Sequence, residues 1–133
     1  MTSPDPALTI LVAGPYRSGT DDDPERMRTN LRALEAAALV LFRAGHLPLI
    51  GEWLALPLLE AAGSRQIGGP LWDEIVYPVA HRLLDRCDAV LRLPGASKGA
   101  DNDVRIARER CIPVYHRLDE VPRLAGSPGA RGL

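Results

Sequence analysis

Short apolar runs alternate with stretches of helical periodicity along this chain, without internal repeats, and that alternation constrains its fold more than any other feature. The runs are 9–13, 46–50, 88–93 and 112–116. Between the first two, Asp22 or Asp23 can cap a helix with Pro24 in its first turn. Met27, Leu31, Leu34, Ala38, Leu41 and Phe42 then recur at helical spacing, and Gly45 ends the pattern. Residues 52–62 read as helical despite Pro57, and 63–70 as a loop. A longer helix is expected over 71–86, with Leu71, Ile75, Val79 and Leu83 on one face and a kink or break at Pro78. A last helix is expected over 101–110. Strands separated by helices of this length require right-handed crossovers and a parallel sheet covered on both faces. The expected fold is therefore α/β: a small doubly wound, Rossmann- or flavodoxin-like three-layer sandwich with four to five parallel strands. Its first and third strands should be neighbours at the switch point, where open α/β sheets bind ligands.

The 133 residues suffice for one domain, expected over 7–124, with 1–6 and 125–133 as flexible tails. A net charge of −1 excludes a whole-surface electrostatic grip on nucleic acid. No apolar run has the length of a membrane span, and the N-terminal residues lack a charged-then-apolar signal pattern. Cys87 and Cys111 each lie beside an expected strand and read as two buried thiols in a reducing cytosol. The expected location is cytoplasmic.

Two loops at strand ends carry the chemistry. In the first, Gly14-Pro15-Tyr16-Arg17-Ser18-Gly19, the glycines allow tight turns and close approach of a ligand to backbone N–H groups. Arg17 adds a planar cationic fork suited to phosphate. No Lys-Ser/Thr pair follows Gly19, which sets aside a Walker-type phosphate loop. In the second loop, Ser97, Lys98 and the Gly99 N–H precede the helix expected from Asp101, whose dipole favours an anion. Lys98 is the only lysine among sixteen cationic side chains. Asp101 and Asp103 both fit helix capping, which needs only one of them. Gly95-Ala96-Ser97-Lys98-Gly99 also matches a nucleophile elbow. His116 is the only histidine after it, and Lys98–Ala100 intervene before the helix, so serine hydrolysis is set aside. His46, His81 and His116 are scattered without ligand spacing, and neither metal nor cofactor is expected. Glu52-Trp53, directly after the second strand, falls at the same carboxyl edge and offers an aromatic face to a base. Trp72, across the intervening loop, reads as a core residue.

Together these segments resemble the nucleoside 2-deoxyribosyltransferase-like superfamily, which includes nucleoside 5′-monophosphate N-glycosidases. Ala13-Gly14-Pro15-Tyr16-Arg17 is similar to its first loop, and Cys87-Asp88-Ala89-Val90 to its "ADAVV" strand. The run from Ser97 through Gly99 and Asp103 to Ala107 is similar to its S-x-G-x-x-x-E-x-x-x-A signature. The resemblance implies that Asp103, in the glutamate's position, attacks the anomeric carbon, and that Ser97 and Arg17 hold a 5′-phosphate. It implies a phosphate site built from Gly14, Tyr16, Arg17, Ser97, Lys98 and Gly99. Two positions depart from the family: Asp103 is one methylene shorter than glutamate, and Ala80 stands where an aspartate assists the leaving base. Asp73 and His81 are the nearby replacements for that acid. The expected activity is hydrolysis of the N-glycosidic bond of a nucleoside or deoxynucleoside 5′-monophosphate. A nucleotide-binding module without turnover, and a base-exchanging transferase, are the alternatives. A homodimer or larger assembly is expected as well. Family members complete their pocket from a neighbouring subunit, and Trp53, Leu54, Leu56, Leu58 and Leu59 give one helix more apolar area than a single side requires.

Overall fold

The computed structural model describes residues 6–64 and 67–124. The tails expected at 1–6 and 125–133 lie outside the described residues, apart from Pro6. Strands β1 (Thr9–Ala13), β2 (Leu47–Leu49), β3 (Ala89–Arg92) and β4 (Val114–Tyr115) form an all-parallel sheet in the order β2-β1-β3-β4. Helices α1 (Pro24–Arg43), α2 (Gly51–Ala61), α3 (Pro70–Leu84) and α4 (Lys98–Glu109) connect them, and a 3₁₀ turn (Leu118–Glu120) follows β4. The fold is the small doubly wound α/β sandwich that the sequence implies, with β1 and β3 paired from Ile10↔Ala89 to Ala13↔Arg92.

Side chains alternate between the two sheet faces, as pleating requires. Ile10 and Val12 of β1, with Leu91 of β3, pack under Leu34, Ala38 and Leu41 of α1. Leu11, Ala13 and Val90 point the other way, into Leu84 of α3 and Ala100 and Ala107 of α4. Each large buried aliphatic contributes roughly 1.5–3 kcal/mol relative to exposure, so these two clusters hold the three layers together. His46 closes the far end of the sheet. Its Nδ1 accepts from the Leu8 N–H at 3.0 Å, leaving Nε2 to donate to the Pro122 carbonyl at 2.6 Å. Asp88 is also committed there, since its Oδ2 accepts from the Thr9 N–H at 2.8 Å.

Several elements differ from the sequence reading. Asp23 caps α1 and Pro24 opens it, but Phe42 is 61% exposed because the buried stripe runs through Ala37, Ala38 and Leu41 instead. Helix α3 continues through Pro78 as one element. It is also rotated from the expected face: Trp72 and Leu84 are buried, while Leu71, Ile75, Val79 and Leu83 are only partly covered. Helix α4 starts at Lys98, three residues before the expected Asp101, because the Ser97 hydroxyl accepts from the Ala100 N–H at 3.1 Å. Serine is a strong N-cap, and neither aspartate is needed for that role. Cys87 is buried but Cys111 is exposed, in the turn between α4 and β4 at φ 59°. No helix among the described residues is long and apolar enough to cross a membrane.

Candidate functional site

The carboxyl ends of β1, β2 and β3 open into one cleft of about 500 Å³. Its floor is the end of β1, Leu11 to Gly14. On one side Gly51 and Glu52 begin α2; on the other, Ser97 to Ala100 begin α4, with Asp103 one turn further in. Trp72, Val76, Tyr77 and Ala80 of α3 form the wall above. The loop after β1 closes the end with Tyr16, Arg17, Ser18 and Asp22.

Both strand-end loops are fixed by specific packing. A Cβ on Gly14 would lie 2.9 Å from Leu34 Cδ2 and 3.2 Å from Leu93 Cβ, so glycine is needed there for chain packing. Gly95 takes φ +113° and would meet Pro15 Cγ at 2.7 Å, which brings the two loops into contact. The Asn30 amide donates to the Tyr16 carbonyl at 2.8 Å, and the buried Thr20 hydroxyl donates to the Arg17 carbonyl at 2.5 Å.

The two loops expected to hold an anion are unequally built. Ser97 is the N-cap of α4, and Lys98 and Gly99 form its first turn at the cleft. Helix N–H groups and the dipole there favour a negative ligand. Arg17, expected to be a phosphate fork, is already engaged: its Nε and Nη2 donate to the two carboxylate oxygens of Asp22 at 2.7 and 3.1 Å. The hydrogen bond from Arg17 holds the Asp22 carboxyl below the usual carboxylate range. The guanidinium carbon lies 5.4 Å from the Trp72 ring centroid. Trp72 in turn lies nearly parallel to Tyr16, with ring centroids 6.4 Å apart and planes 11° from each other. These rings give the cleft a flat aromatic wall.

Two carboxyl groups sit in the cleft in poorly hydrated surroundings. Asp103 is 9% exposed, and its carboxyl is pushed up to about 7 by burial and by the charge of Glu52, against a lowering influence from Arg92. Glu52 is likewise pushed up to about 7, chiefly by burial, with a hydrogen bond to its own backbone opposing. Tyr16 is raised by burial and then by Glu52, with Arg28 opposing, which locates Glu52 near the aromatic end. Arg92 is mostly covered, with its side chain 11% exposed, and its guanidinium donates to the carbonyls of Leu93 and Gly95 and to Asp101. It therefore braces the second loop while placing a positive charge near Asp103.

The cleft brings together Gly14, Tyr16, Arg17, Glu52, Ser97, Lys98, Gly99 and Asp103 of the residues expected from sequence. Three others lie elsewhere. Trp53 is 40% exposed and its indole N–H donates to Glu35 of α1 at 2.9 Å, so it offers the cleft no base platform. Asp73 is exposed and does not line the cleft. His81 packs between α3 and α4, its Nε2 3.1 Å from the Asn102 amide. Its imidazole is shifted down by burial, then by Arg110 and Arg105, and it too lies off the cleft. Tyr77 and Arg92 were not singled out from sequence, and Trp72 and Asp22 were read only as a core residue and a possible helix cap. The spacing of Trp72, Val76 and Ala80, one helical turn apart and ending in a small residue, was the available signal for the α3 wall. No group of three or more potential metal-ligating side chains comes together among the described residues. Comparison of the chain with protein-family models, curated proteins and solved structures found no match.

Proposed function

We propose that this cleft hydrolyses the N-glycosidic bond of a nucleoside or deoxynucleoside 5′-monophosphate, with Asp103 as the nucleophile. The observation that carries the reading is the placement of a buried carboxyl, Asp103, one turn beyond a capped helix N-terminus in the same cleft. The Lys98–Gly99 turn would hold the phosphate, the Tyr16–Trp72 wall the base, and Asp103 would face the sugar carbon between them. This polarity agrees with the resemblance to the nucleoside 2-deoxyribosyltransferase-like superfamily, including its nucleophile position. Attack by a carboxylate followed by water is the retaining-glycosidase route through an oxocarbenium-like centre.

The experiment is direct. Purified protein is incubated with a panel of nucleosides and their monophosphates, and released base is measured by chromatography. Base release from a monophosphate, lost in Asp103→Asn, is the expected result. A nucleotide-binding module without turnover is the second reading. The raised Asp103 carboxyl favours it, because a protonated acid donates a hydrogen bond but attacks poorly. Monophosphate-dependent thermal stabilisation without base release, from wild type and from Asp103→Glu, would establish that second reading.

The same proposal makes the functional unit a homodimer acting in the cytoplasm. Support comes from the outer face of α2, where Trp53, Leu54 and Leu58 are 40–50% exposed. Light scattering at micromolar concentration tests it: a particle near the 14.4 kDa chain mass would remove the dimer.

A further inference from the structure

We propose that Glu52 is the acid that protonates the departing base, paired across the cleft with Asp103. The inference rests on the glycosidase reading above and adds the group that reading lacks. A purine or pyrimidine leaves poorly as an anion, so cleavage is accelerated when a proton reaches the base as the bond breaks. The donor must face the same space as the nucleophile. Asp73 and His81 do not, although both lie near the position where the resemblance places such an acid.

Three carboxyl groups line the cleft among the described residues: Asp22, Glu52 and Asp103. Asp22 is bound through both oxygens to Arg17, which favours its ionised form. Asp103 stands at the α4 end as nucleophile. Glu52 remains, and its position suits the task. It projects from the first turn of α2 beyond β2, whereas Asp103 projects from α4 beyond β3. Because β1 lies between those strands, the two carboxyls flank its end from opposite sides. Glu52 is also the acid whose charge reaches Tyr16, one of the two stacked rings. Base, sugar carbon and phosphate would then run from Glu52 and the rings, past Asp103, to the N-terminus of α4.

The surroundings favour keeping a proton on the pair. Two carboxyls that feel each other resist ionising together, so near neutrality one proton is held by the pair. Arg92 acts on Asp103, Tyr16 lies near Glu52 and is itself influenced by Arg28, and Arg17, Asp22, Tyr77 and Lys98 line the same cleft. Burial and the charge of Glu52 disfavour the Asp103 carboxylate while Arg92 favours it, and burial disfavours the Glu52 carboxylate against a hydrogen bond to its own backbone. Both carboxyls are pushed up to about 7, so near neutrality the proton is readily exchanged between them, and the arrangement that reacts is Asp103 carboxylate with Glu52 carboxylic acid.

The step balances without a further reactant. As the bond from the anomeric carbon to the base nitrogen breaks, its electron pair stays with the base. The Glu52 proton moves to the base, and an Asp103 oxygen bonds to the anomeric carbon. Water then adds to that carbon, the bond to Asp103 breaks with its pair returning to Asp103, and the water proton restores Glu52. Base and sugar phosphate are the products.

The test compares two leaving groups. One substrate is the monophosphate from which the wild type releases most base. The other is the 4-nitrophenyl glycoside of ribose 5-phosphate, whose nitrophenolate leaves without protonation. Glu52→Gln should lose about 10²–10⁴-fold on the nucleotide and under about tenfold on the nitrophenyl glycoside. Glu52→Asp should recover part of the loss on the nucleotide. Equal losses on both substrates, or no loss on the nucleotide, would overturn the assignment while leaving the glycosidase reading standing. Thermal melting of Glu52→Gln separates either result from misfolding. A wild type that releases neither base nor nitrophenol would remove the glycosidase reading and this proposal with it.

Discussion

The two loops that meet at the switch point are built on opposite plans. The first, after β1, carries its cation on the surface, with the Arg17 side chain 40% exposed and clasped by Asp22. Asp21 and Asp22 both adopt positive φ, at 51° and 57°, a conformation disfavoured for side chains other than glycine. The second, after β3, carries its cation underneath: Arg92 is covered and bonds to Leu93, Gly95 and Asp101, while Ser97 caps the helix above. One loop is charge-balanced and locally strained; the other is braced from below and presents a helix N-terminus. A preorganised donor set needs no rearrangement when its ligand arrives, whereas a cation already paired must exchange partners. Anion binding should therefore reside mainly in the second loop, and the first should contribute its aromatic ring.

The largest effect expected from this asymmetry is at Asp103. Replacing it with asparagine removes the proposed nucleophile but keeps the shape and the α4 N-terminus. Base release should fall by about 10³-fold or more, while monophosphate-dependent stabilisation persists. Loss of binding in parallel with loss of rate would mean that Asp103 serves the ligand's anchoring, and the division of labour proposed for the second loop would fail.

The carboxyl pair also leaves a mark on stability. Both groups are raised to about 7 in the fold from ordinary values of 3.8 and 4.5. For a raised carboxyl, the contribution to stability is fully present below the unfolded value and is lost as pH rises through the folded one. Melting temperature should thus fall between about pH 4 and pH 8 by more than in a double Glu52→Gln, Asp103→Asn variant. At pH 8 that variant should be more stable than wild type by about 1–3 kcal/mol. Parallel melting profiles for the two proteins from pH 4 to 8 would show that the pair is hydrated and its coupling negligible.

The fold was legible because its signals are local and repeated: apolar runs, helical periodicity, and turn residues in the right order. Helix α1 illustrates this, with Asp23, Pro24 and Gly45 marking its ends as expected. The errors arose where tertiary contacts choose among local options. Asp101 and Asp103 were the expected caps, and the backbone took Ser97 instead, turning Lys98 and Gly99 from loop into helix. Only one of the two tryptophans reaches the cleft, for a similar reason. Trp53 sits at the strand end in sequence, but α2 turns it toward Glu35; Trp72, read as core, is buried as expected and also lines the cleft. Helix rotation relative to the sheet decides such cases, and a partly apolar helix such as α3 does not encode its rotation strongly. Asp22 was read as a possible cap, and its grip on Arg17 depends on a left-handed turn that no sequence motif announced.

Loss of the Ser97 hydroxyl should be felt in both stability and binding. Ser97→Ala leaves the Ala100 N–H without its capping partner at the entrance to α4, a change worth about 1 kcal/mol of stability. Monophosphate affinity should weaken as well, because the first turn that presents Lys98 and Gly99 would fray. Unchanged affinity in a measurably less stable Ser97→Ala protein would detach the anion site from the cap.

The smallest effect belongs to the first loop and bears on its clasp. Asp22→Asn keeps the side-chain volume but removes the charge that neutralises Arg17. A freed guanidinium beside the cleft gains a charge-assisted hydrogen bond to phosphate, offset by the motion needed to reach it, for a net gain of about 1 kcal/mol or fivefold in affinity. A nucleoside without phosphate should gain nothing. Calorimetric titration of both ligands into wild type and variant reads the difference directly. If Asp22→Asn strengthens the monophosphate alone, Arg17 is a reserve cation held in check by its neighbour. If it weakens both ligands equally, the clasp is a structural brace for the wall formed by Tyr16 and Trp72, and the phosphate is held by the second loop alone.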